Sequence, residues 1–276
     1  MQNKVVLITG CSSGIGKALA LEFVNSGFKV VATARRKESI SVLKEKGCNI
    51  EQLDVKNNDD QTRVVDSVLK EFGRIDILVN NAGYGLIAPA IDLTDEKIHQ
   101  QFMTNVFAPL SLIKKVVPFM KQNGTGIIIN IGSISGLVTT PFAGAYCASK
   151  AALHSFSDAL RMELKPFRIK VMTVQPGAIK SNFGKASMKR ASSNFSDNSW
   201  YKSLEVSILK RANGSQVVAT PAEDFAKKIV SIVKKGNIPS SILIGKKSRS
   251  LPLLKKVLPA KMLDSILMKK FGLRSL

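Results

Sequence analysis

A strand, a glycine loop and a helix follow one another at the start of the chain, and this order restricts the fold more than any other feature. Residues 5–9 form an uninterrupted apolar run, which is typical of a strand buried on both faces of a parallel sheet. The loop at residues 10–16 carries three glycines, and a helix is predicted from residue 17. Glycines permit close backbone approach, and a helix N-terminus attracts anions. We therefore predict a phosphate cradle, with a purely structural turn as the alternative.

The end of the second strand, residues 29–34, bears on which dinucleotide such a cradle binds. In dinucleotide-binding folds an acidic residue about 20 positions after the loop binds the ribose 2′-hydroxyl of NAD. Here the strand ends at Ala34 and is followed by Arg35, Arg36 and Lys37. No carboxylate repels a 2′-phosphate there, and a guanidinium can bind one through two hydrogen bonds. This predicts NADPH in preference to NADH, with a solvated basic loop as the alternative.

A second constellation, farther along the chain, is suited to proton transfer. Tyr146 and Lys150 are four residues apart, so on a helix they lie on the same face. An ammonium beside a phenol favours the phenolate and brings the phenol's pKa of about 10 closer to neutrality. Ser133 follows an apolar run, and its hydroxyl can hold a substrate oxygen against the phenol. These residues can move a proton on or off an alcohol or carbonyl; a surface Tyr–Lys pair is the alternative.

Apolar strand candidates alternate with helical stretches along the whole chain. This alternation predicts an α/β fold with a parallel sheet, and 276 residues suit a single domain. The strands are expected at residues 5–9, 30–34, 50–53, 75–79, 127–131, 171–174 and 242–244.

An ordered set of motifs resembles the short-chain dehydrogenase/reductase family. The resemblance covers roughly residues 4–182 and implies a doubly wound, Rossmann-type sheet and NAD(P)-dependent interconversion of an alcohol and a carbonyl. The matching residues are Thr9-Gly10-x-x-x-Gly14-x-Gly16, Asp54-Val55, Asn80-Asn81-Ala82-Gly83, Asn105, Ser133, Tyr146-x-x-x-Lys150 and Pro176-Gly177.

The same resemblance implies a role for each matching residue. Tyr146 would be the general acid/base, Lys150 would lower its pKa and hold the nicotinamide ribose, Ser133 would position the substrate oxygen, and Asn105 would support a water relay. Ser181 stands where the family often has a threonine. The residues expected to bind the cofactor are Gly10, Ser12, Ser13, Gly14, Ile15, Gly16, Arg35, Asp54, Val55, Asn81, Ala82, Gly83, Tyr146, Lys150, Pro176, Gly177, Ile179 and Ser181.

Other site classes have little support in the sequence. Cys11, Cys48 and Cys147 include no close pair, and His99 and His154 are isolated, so neither a disulfide framework nor a metal site is expected. A serine hydrolase is not expected, because Ser133 lacks a Gly-x-Ser-x-Gly elbow. The chain has no signal-peptide pattern and no apolar segment long enough to span a bilayer, so a cytoplasmic protein is expected.

Positive charge is concentrated in the last thirty residues, within a net charge of +21. We divide the chain into a catalytic domain, residues 1–245, and a basic amphipathic extension, residues 246–276. Pro259 and Gly272 are placed to begin and end a helix there. Leu263, Ile266, Leu267 and Phe271 would share its apolar face.

Residues 250–273 could contact an anionic membrane surface, cap the substrate pocket or pack on a second subunit. Nucleic-acid binding is not expected. The family resemblance implies a homo-oligomer, either a dimer or a tetramer.

Residues 183–220 are irregular in pattern and lie where the resembled family places its substrate lid. Phe195, Trp200 and Tyr201 could form an apolar wall. The cations that could meet an anionic group are Lys185, Lys189, Arg190, Lys202, Lys210 and Arg211.

The chain also resembles, more weakly, the branch that holds acyl-dihydroxyacetone-phosphate reductases, retinol dehydrogenases and hydroxysteroid dehydrogenases. This resemblance and the features of residues 183–276 predict an NADPH-dependent oxidoreductase for a lipophilic substrate. The alternatives are a non-catalytic NADP(H) sensor and a membrane-surface scaffold.

Overall fold

A seven-stranded parallel sheet forms the centre of the protein. The computed structural model describes residues 3–193 and 198–275. The strand order is β3-β2-β1-β4-β5-β6-β7, so the chain starts in the middle and winds outward in both directions, as the sequence predicted. The strands are β1 (Val5–Ile8), β2 (Lys29–Ala34), β3 (Asn49–Gln52), β4 (Ile77–Asn80), β5 (Gly126–Ile131), β6 (Ile169–Pro176) and β7 (Ser241–Ile244).

Helices cover both faces of the sheet and extend beyond its carboxyl edge. A π-helical turn, Met103–Phe107, joins the fourth and fifth helices. Within the described residues the helices are α1 (Gly14–Asn25), α2 (Ser41–Glu45), α3 (Asn58–Phe72), α4 (Asp95–Phe102), α5 (Ala108–Gln122), α6 (Gly144–Glu163), α7 (Phe183–Ser193), α8 (Glu205–Asn213), α9 (Ala222–Lys235), α10 (Ser250–Val257) and α11 (Ala260–Lys270). None of these is both long and apolar enough to cross a membrane.

Alternate residues of each central strand enter different cores, because successive side chains of a strand point to opposite faces. On β1, Val6 and Ile8 join a core with Phe23 of α1 and Phe225 of α9. Its neighbour Leu7 joins a second core, which contains side chains of α3 and α5. Both cores exclude water, so the polar groups that can do chemistry collect where the strands end.

A buried chain of amides fixes α6 against the middle of the sheet. Asn80 Nδ2 donates to Asn130 Oδ1 at 2.9 Å across paired strands β4 and β5. Asn130 Nδ2 then donates to Ser157 Oγ on α6 at 2.8 Å. A buried amide without its hydrogen-bond partner destabilises the folded protein. These bonds therefore hold α6 in one position on the sheet. Tyr146 and Lys150 are therefore held at the carboxyl edge.

The carboxyl-terminal helices fold back on the domain. Leu263 and Leu267 of α11 are buried with Val138 from the segment after β5. The helix begins after Pro259 and ends before Gly272, whose φ is +78°, in agreement with the sequence prediction. The predicted apolar face is divided, because Leu263 and Leu267 pack inside whereas Ile266 is 46% exposed.

Candidate active site

Two glycines of the first loop can only be glycine. Gly14 has a φ of +57°, and a Cβ there would lie 2.6 Å from Ser181 Cβ. A Cβ on Gly16 would lie 2.3 Å from Gly10 O. Ser13 precedes α1 and makes no side-chain capping bond, so the first-turn amides of the helix are left without a side-chain acceptor. An uncapped helix N-terminus after a tight glycine turn fits a dinucleotide phosphate.

The loop after β4 lies against this glycine loop. The N–H groups of Asn81 and Ala82 both donate to Thr9 Oγ1 at 3.0 Å. Asn81 Nδ2 donates to Thr9 O at 2.8 Å and to Gly10 O at 3.0 Å. A Cβ on Gly10 would lie 2.9 Å from Ala82 Cα, so the two loops are in direct contact. Ser12 is exposed and Ile15 is partly buried beside the first core.

Arginines dominate the end of β2. Arg35 is exposed directly after the strand. Burial lowers the pKa of Arg190 on α7, and the charge of Arg35 lowers it further. The Arg190 guanidinium also lies 4.6 Å from the centre of the Tyr84 ring. The charges of the two guanidiniums therefore act on each other. At the end of β3, Asp54 Oδ1 accepts from Lys56 N at 3.0 Å, and the carbonyl of Val55 accepts from a glutamine of α3.

The segment after β6 connects the sheet to α7. Gly177 N donates to Ile244 O at 2.9 Å, directly after Pro176 at the end of the strand. Ser181 N donates to Gln216 Oε1 at 2.8 Å, and Gln216 Nε2 donates to Ile179 O at 3.1 Å. The Ser181 hydroxyl accepts from Phe183 N at 3.3 Å, at the first residue of α7.

Ser133 and Tyr146 face each other at the end of β5. Both side chains are buried. Burial raises the pKa of Tyr146 to about 12, while the nearby Ser133 hydroxyl and the charge of Arg211 act in the opposite direction. Ser133 N also donates to His154 Nε2 at 3.4 Å. Burial therefore disfavours the phenolate form of Tyr146.

Lys150 lies on the Tyr146 face of α6, and its role in lowering the tyrosine's pKa stays a prediction. Its Nζ donates to Ile131 O at 2.8 Å, and burial lowers the pKa of Lys150 to about 8. Burial disfavours the charged form of both side chains, and this effect dominates at the tyrosine.

Asn105 lies in the π-helical turn rather than in a regular helix. Asn105 Nδ2 donates to Tyr84 O at 3.0 Å and to Ser149 Oγ at 3.1 Å, and Oδ1 accepts from Tyr84 N at 3.2 Å. A Cβ on Gly83 would lie 3.0 Å from Asn105 Oδ1 and 3.7 Å from Lys150 Nζ. A π turn adds a residue to the helical register and commonly occurs at functional sites. Asn105 is thereby brought next to Lys150.

Several side chains at this site carried no signal in the sequence. The Phe183 ring lies 5.7 Å from that of Tyr146, and Thr140 accepts two hydrogen bonds from Arg211. The predicted aromatic wall is only partly formed: Tyr201 packs on Phe142, whereas Trp200 is 82% exposed because it projects from the turn before α8. Phe195 lies outside the described residues.

A small-residue pattern could have revealed α7. Gly184, Ser187 and Ala191 recur at helical spacing and are buried. A Cβ on Gly184 would lie 2.5 Å from Gln216 Cγ, so small residues permit the close packing of this helix. Its many serines and lysines concealed the helix in the sequence.

The arrangement combines a glycine loop before an uncapped helix, a buried phenol that faces a serine, and a buried lysine at one edge of the sheet. A phenol in this position can donate a proton to a ligand oxygen, and the neighbouring hydroxyl can hydrogen-bond to the same oxygen.

Comparisons with known proteins identify the family of the chain. The family model for short chain dehydrogenase matches residues 4–192. A probable short-chain type dehydrogenase/reductase, VdlC, of Helicobacter pylori is 35% identical over 95% of this chain and 96% of its own. A 3-ketodihydrosphingosine reductase of Bacteroides thetaiotaomicron is 40% identical over 66% of each chain.

Among solved structures, the closed form of a serine dehydrogenase complexed with NADP⁺ is 30% identical, with a TM-score of 0.72, over 86% of this chain and 92% of its own. The chain therefore belongs to the short-chain dehydrogenase/reductase family of NAD(P)-dependent oxidoreductases, which act on CH–OH groups.

Proposed function

We propose that this protein is an NADPH-dependent carbonyl reductase for a lipophilic substrate. One observation carries the proposal: a buried tyrosine phenol faces the buried Ser133 at the end of β5, on the same side of α6 as the buried Lys150. A phenol in this position can donate a proton to the oxygen of a carbonyl as it is reduced.

The residues around the phenol have distinct roles in this reaction. Tyr146 donates its proton to the carbonyl oxygen, and the Ser133 hydroxyl hydrogen-bonds to the same oxygen and orients it. Lys150 and Asn105 lie behind the phenol and return a proton to it from solvent. When bound, a reduced nicotinamide supplies the hydride.

Cofactor binding is assigned to the loops that follow β1, β2, β3, β4 and β6. Arg35 binds the 2′-phosphate, with Arg190 close enough to add charge from above the cleft. The NADP⁺ in the related serine dehydrogenase supports the same preference. Gly10, Gly14 and Gly16 hold the pyrophosphate. The remaining contacts are Ser12, Ser13, Ile15, Asp54, Val55, Asn81, Ala82, Gly83, Pro176, Gly177, Ile179 and Ser181, together with Tyr146 and Lys150.

A lipophilic substrate is supported by the walls beside Tyr146. Ile87, Phe142, Leu204 and Ile208 are buried in one apolar cluster, with Phe271 packed against it. The reductase from Bacteroides thetaiotaomicron, which its name describes as acting on a keto compound, is consistent with a ketone substrate.

Cofactor oxidation by the purified protein tests the proposal. NADPH and NADH are compared against aliphatic ketones of increasing chain length, retinal and ketosteroids, with Tyr146→Phe as the inactive control. Turnover that requires NADPH and rises with chain length supports the reductase. Tight NADPH binding without turnover of any carbonyl would instead favour a non-catalytic NADP(H) sensor.

We also propose that residues 246–276 act as an extension that contacts an anionic membrane surface while it covers the pocket. On α10 the side chains of Leu253 and Val257 are 59% and 62% exposed, although both are apolar. Lys256 is exposed on the same helix, so apolar and cationic groups are combined as on peripheral membrane helices. The protein would then be cytoplasmic and bound peripherally to a membrane surface. We also expect a homo-oligomer, either a dimer or a tetramer, and light scattering would measure its mass.

A further inference from the structure

One cation of α8 differs in its surroundings from the exposed lysines of the 183–220 segment. Arg211 is half-buried, and its Nε and Nη2 donate to Thr140 Oγ1 at 3.1 and 2.8 Å. Its guanidinium lies 5.8 Å from the centre of the Phe271 ring. By contrast, Lys185, Lys189 and Lys210 are exposed. A hydroxyl and an aromatic ring thus orient the guanidinium from two sides.

No carboxylate neutralises this guanidinium within the part of the chain that the structure describes. None of the ion pairs among residues 3–193 and 198–275 includes Arg211. Burial lowers the pKa of Arg211, which reflects the cost of removing its charge from water. A buried charge is normally paired, and one hydroxyl oxygen cannot accept from all five N–H groups.

The guanidinium lies within electrostatic reach of the reacting group. Its charge lowers the pKa values of Tyr146 and Cys147, against the larger effect of burial. The backbone of Thr140, the residue whose hydroxyl accepts from Arg211, also lowers the pKa of the Cys147 thiol. A series of neighbouring residues therefore leads from α8 to the phenol: Arg211, Thr140, Cys147 and Tyr146.

We propose that Arg211 binds an anionic oxygen group of the substrate, a carboxylate or a phosphate, close to the carbonyl that is reduced. The proposal rests on the reductase function and narrows its substrate class from lipophilic ketones to lipophilic ketones that carry such an anion. Thr140 orients the guanidinium, and the apolar cluster around Phe142 and Ile208 contacts the hydrocarbon part. Arginine suits this task because its planar fork matches the oxygens of both groups.

Two matched pairs of ketones test the subsite and distinguish its ligands. The first pair is 3-oxodecanoate and its methyl ester; the second is 1-hydroxy-2-decanone phosphate and the free hydroxy ketone. The native protein should have a kcat/KM at least about tenfold higher for the anionic member of one pair, since a charge-assisted hydrogen bond of about 1.5–3 kcal/mol is involved. The pair that shows the preference identifies carboxylate or phosphate.

Variants at the same position separate binding from folding. Arg211→Met should remove the preference for the anionic ketone, and its kcat/KM for the neutral ketone should stay within about threefold of the native value. Arg211→Lys should restore part of the preference. Lys234→Met, at an exposed position on α9, should retain the full preference. If the native protein reduces both members of both pairs equally well, the subsite is wrong. The same holds if Arg211→Met, still folded by thermal melting, slows both members of a pair equally.

Calorimetry with decanoate and decyl phosphate, which cannot be reduced, gives a readout that does not depend on turnover. Binding to the native protein with NADPH, and at least about tenfold weaker binding to Arg211→Met, would support the subsite even if no carbonyl were turned over. Turnover of ketones without any dependence on Arg211 would leave the reductase function standing and overturn the subsite.

Discussion

The two sides of the candidate active site are built on different principles. We call Asn105, Ser133, Tyr146 and Lys150 the floor, and helices α7, α8, α10 and α11 the cover. In the floor, buried polar groups hydrogen-bond to backbone or to one another, as Lys150 does to Ile131 O at 2.8 Å. The cover has an uncompensated half-buried guanidinium and exposed apolar side chains.

This difference separates the reaction from the choice of substrate. Satisfied polar groups on the sheet edge hold the reacting atoms in one geometry, which any alcohol or carbonyl can use. The Arg211 guanidinium, which makes no ion pair with the described residues, and the exposed apolar side chains of the cover are available to ligands. We therefore expect substitutions in the floor to affect all substrates alike, and substitutions in the cover to change which ligand is favoured.

The largest expected effect comes from removing the phenol. Tyr146→Phe should lower kcat by about 10²–10⁴-fold for every ketone, because it removes the general acid. The ring still packs against Phe183, and NADPH affinity should change less than about threefold. Stopped-flow NADPH oxidation and fluorescence titration of the cofactor measure the two quantities.

Phe142→Leu is a suitable control because it changes an aromatic side chain on the cover side of the pocket. It should alter KM in a substrate-dependent way while kcat for short ketones is retained. A Tyr146→Phe protein with more than a tenth of native kcat would show that the floor does not supply the proton.

A pH-dependent loss of stability is expected from His154, which braces the floor. A Cβ on Gly132 would lie 2.2 Å from His154 Nε2, and one on Gly136 would lie 2.5 Å from its Cε1, so the loop encloses the ring. Burial, with a smaller effect from the charge of Lys150, lowers the pKa of His154 to about 4, while Asp158 acts in the opposite direction.

Proton binding determines whether folding stability rises or falls with pH. As pH falls from 6.5 to 4, the unfolded histidine gains a proton that the folded one excludes, so stability decreases over this window. The loss amounts to about 1–3 kcal/mol, and His154→Asn should remove that part of the slope. Urea unfolding at a series of pH values measures it.

His99→Asn is the matched control, because His99 is the other histidine of the chain and is exposed. It should leave the native pH slope intact. Identical slopes for the native protein and His154→Asn would mean that His154 is protonated as easily in the folded protein as in the unfolded one.

The sequence predicted the floor better than the cover, for physical reasons. Tyr146 and Lys150 belong to one helix, so a spacing of four residues is sufficient to place them together. Ser133 follows a buried strand, and parallel strands end at a common edge. The π-helical turn at Asn105 has no comparable local signal, and the effect of burial on Tyr146 depends on neighbours from distant segments, including Phe183.

Cover contacts join segments that are far apart in the chain. Arg211 meets Thr140 and Phe271, respectively 71 and 60 residues away, and no periodicity relates them. The amphipathic pattern of α11 correctly indicated a helix, but it could not show that Leu263 and Leu267 would pack on Val138. A pattern identifies an apolar face, whereas the tertiary fold determines what covers that face.

A smaller effect is expected at the edge of the cleft, where Arg35 is exposed. Arg35→Ala should weaken NADPH binding by about 10–50-fold and NADH binding by less than about threefold, because a charge-assisted bond to the 2′-phosphate is lost. Parallel titrations with both cofactors give the ratio. Arg36→Ala, one residue away, is the control; a larger loss of NADPH affinity in that variant would move the phosphate site to Arg36.

The smallest effect on the folded protein, and the clearest separation of cover from floor, is expected on α10. Replacing Leu253 and Val257 together by serine should change the free energy of unfolding by less than about 0.5 kcal/mol per position and leave turnover of soluble ketones unchanged, because both side chains are largely exposed.

Binding to vesicles with 30% anionic lipid should nevertheless fall by about 3–10-fold, since these side chains would lose their apolar contact with the membrane. Val217→Ser, which alters a valine that is 74% exposed outside the extension, should bind vesicles as the native protein does. Equal vesicle binding by all three proteins would mean that the exposed residues of α10 serve another contact, such as a second subunit, and that the extension acts on the pocket alone.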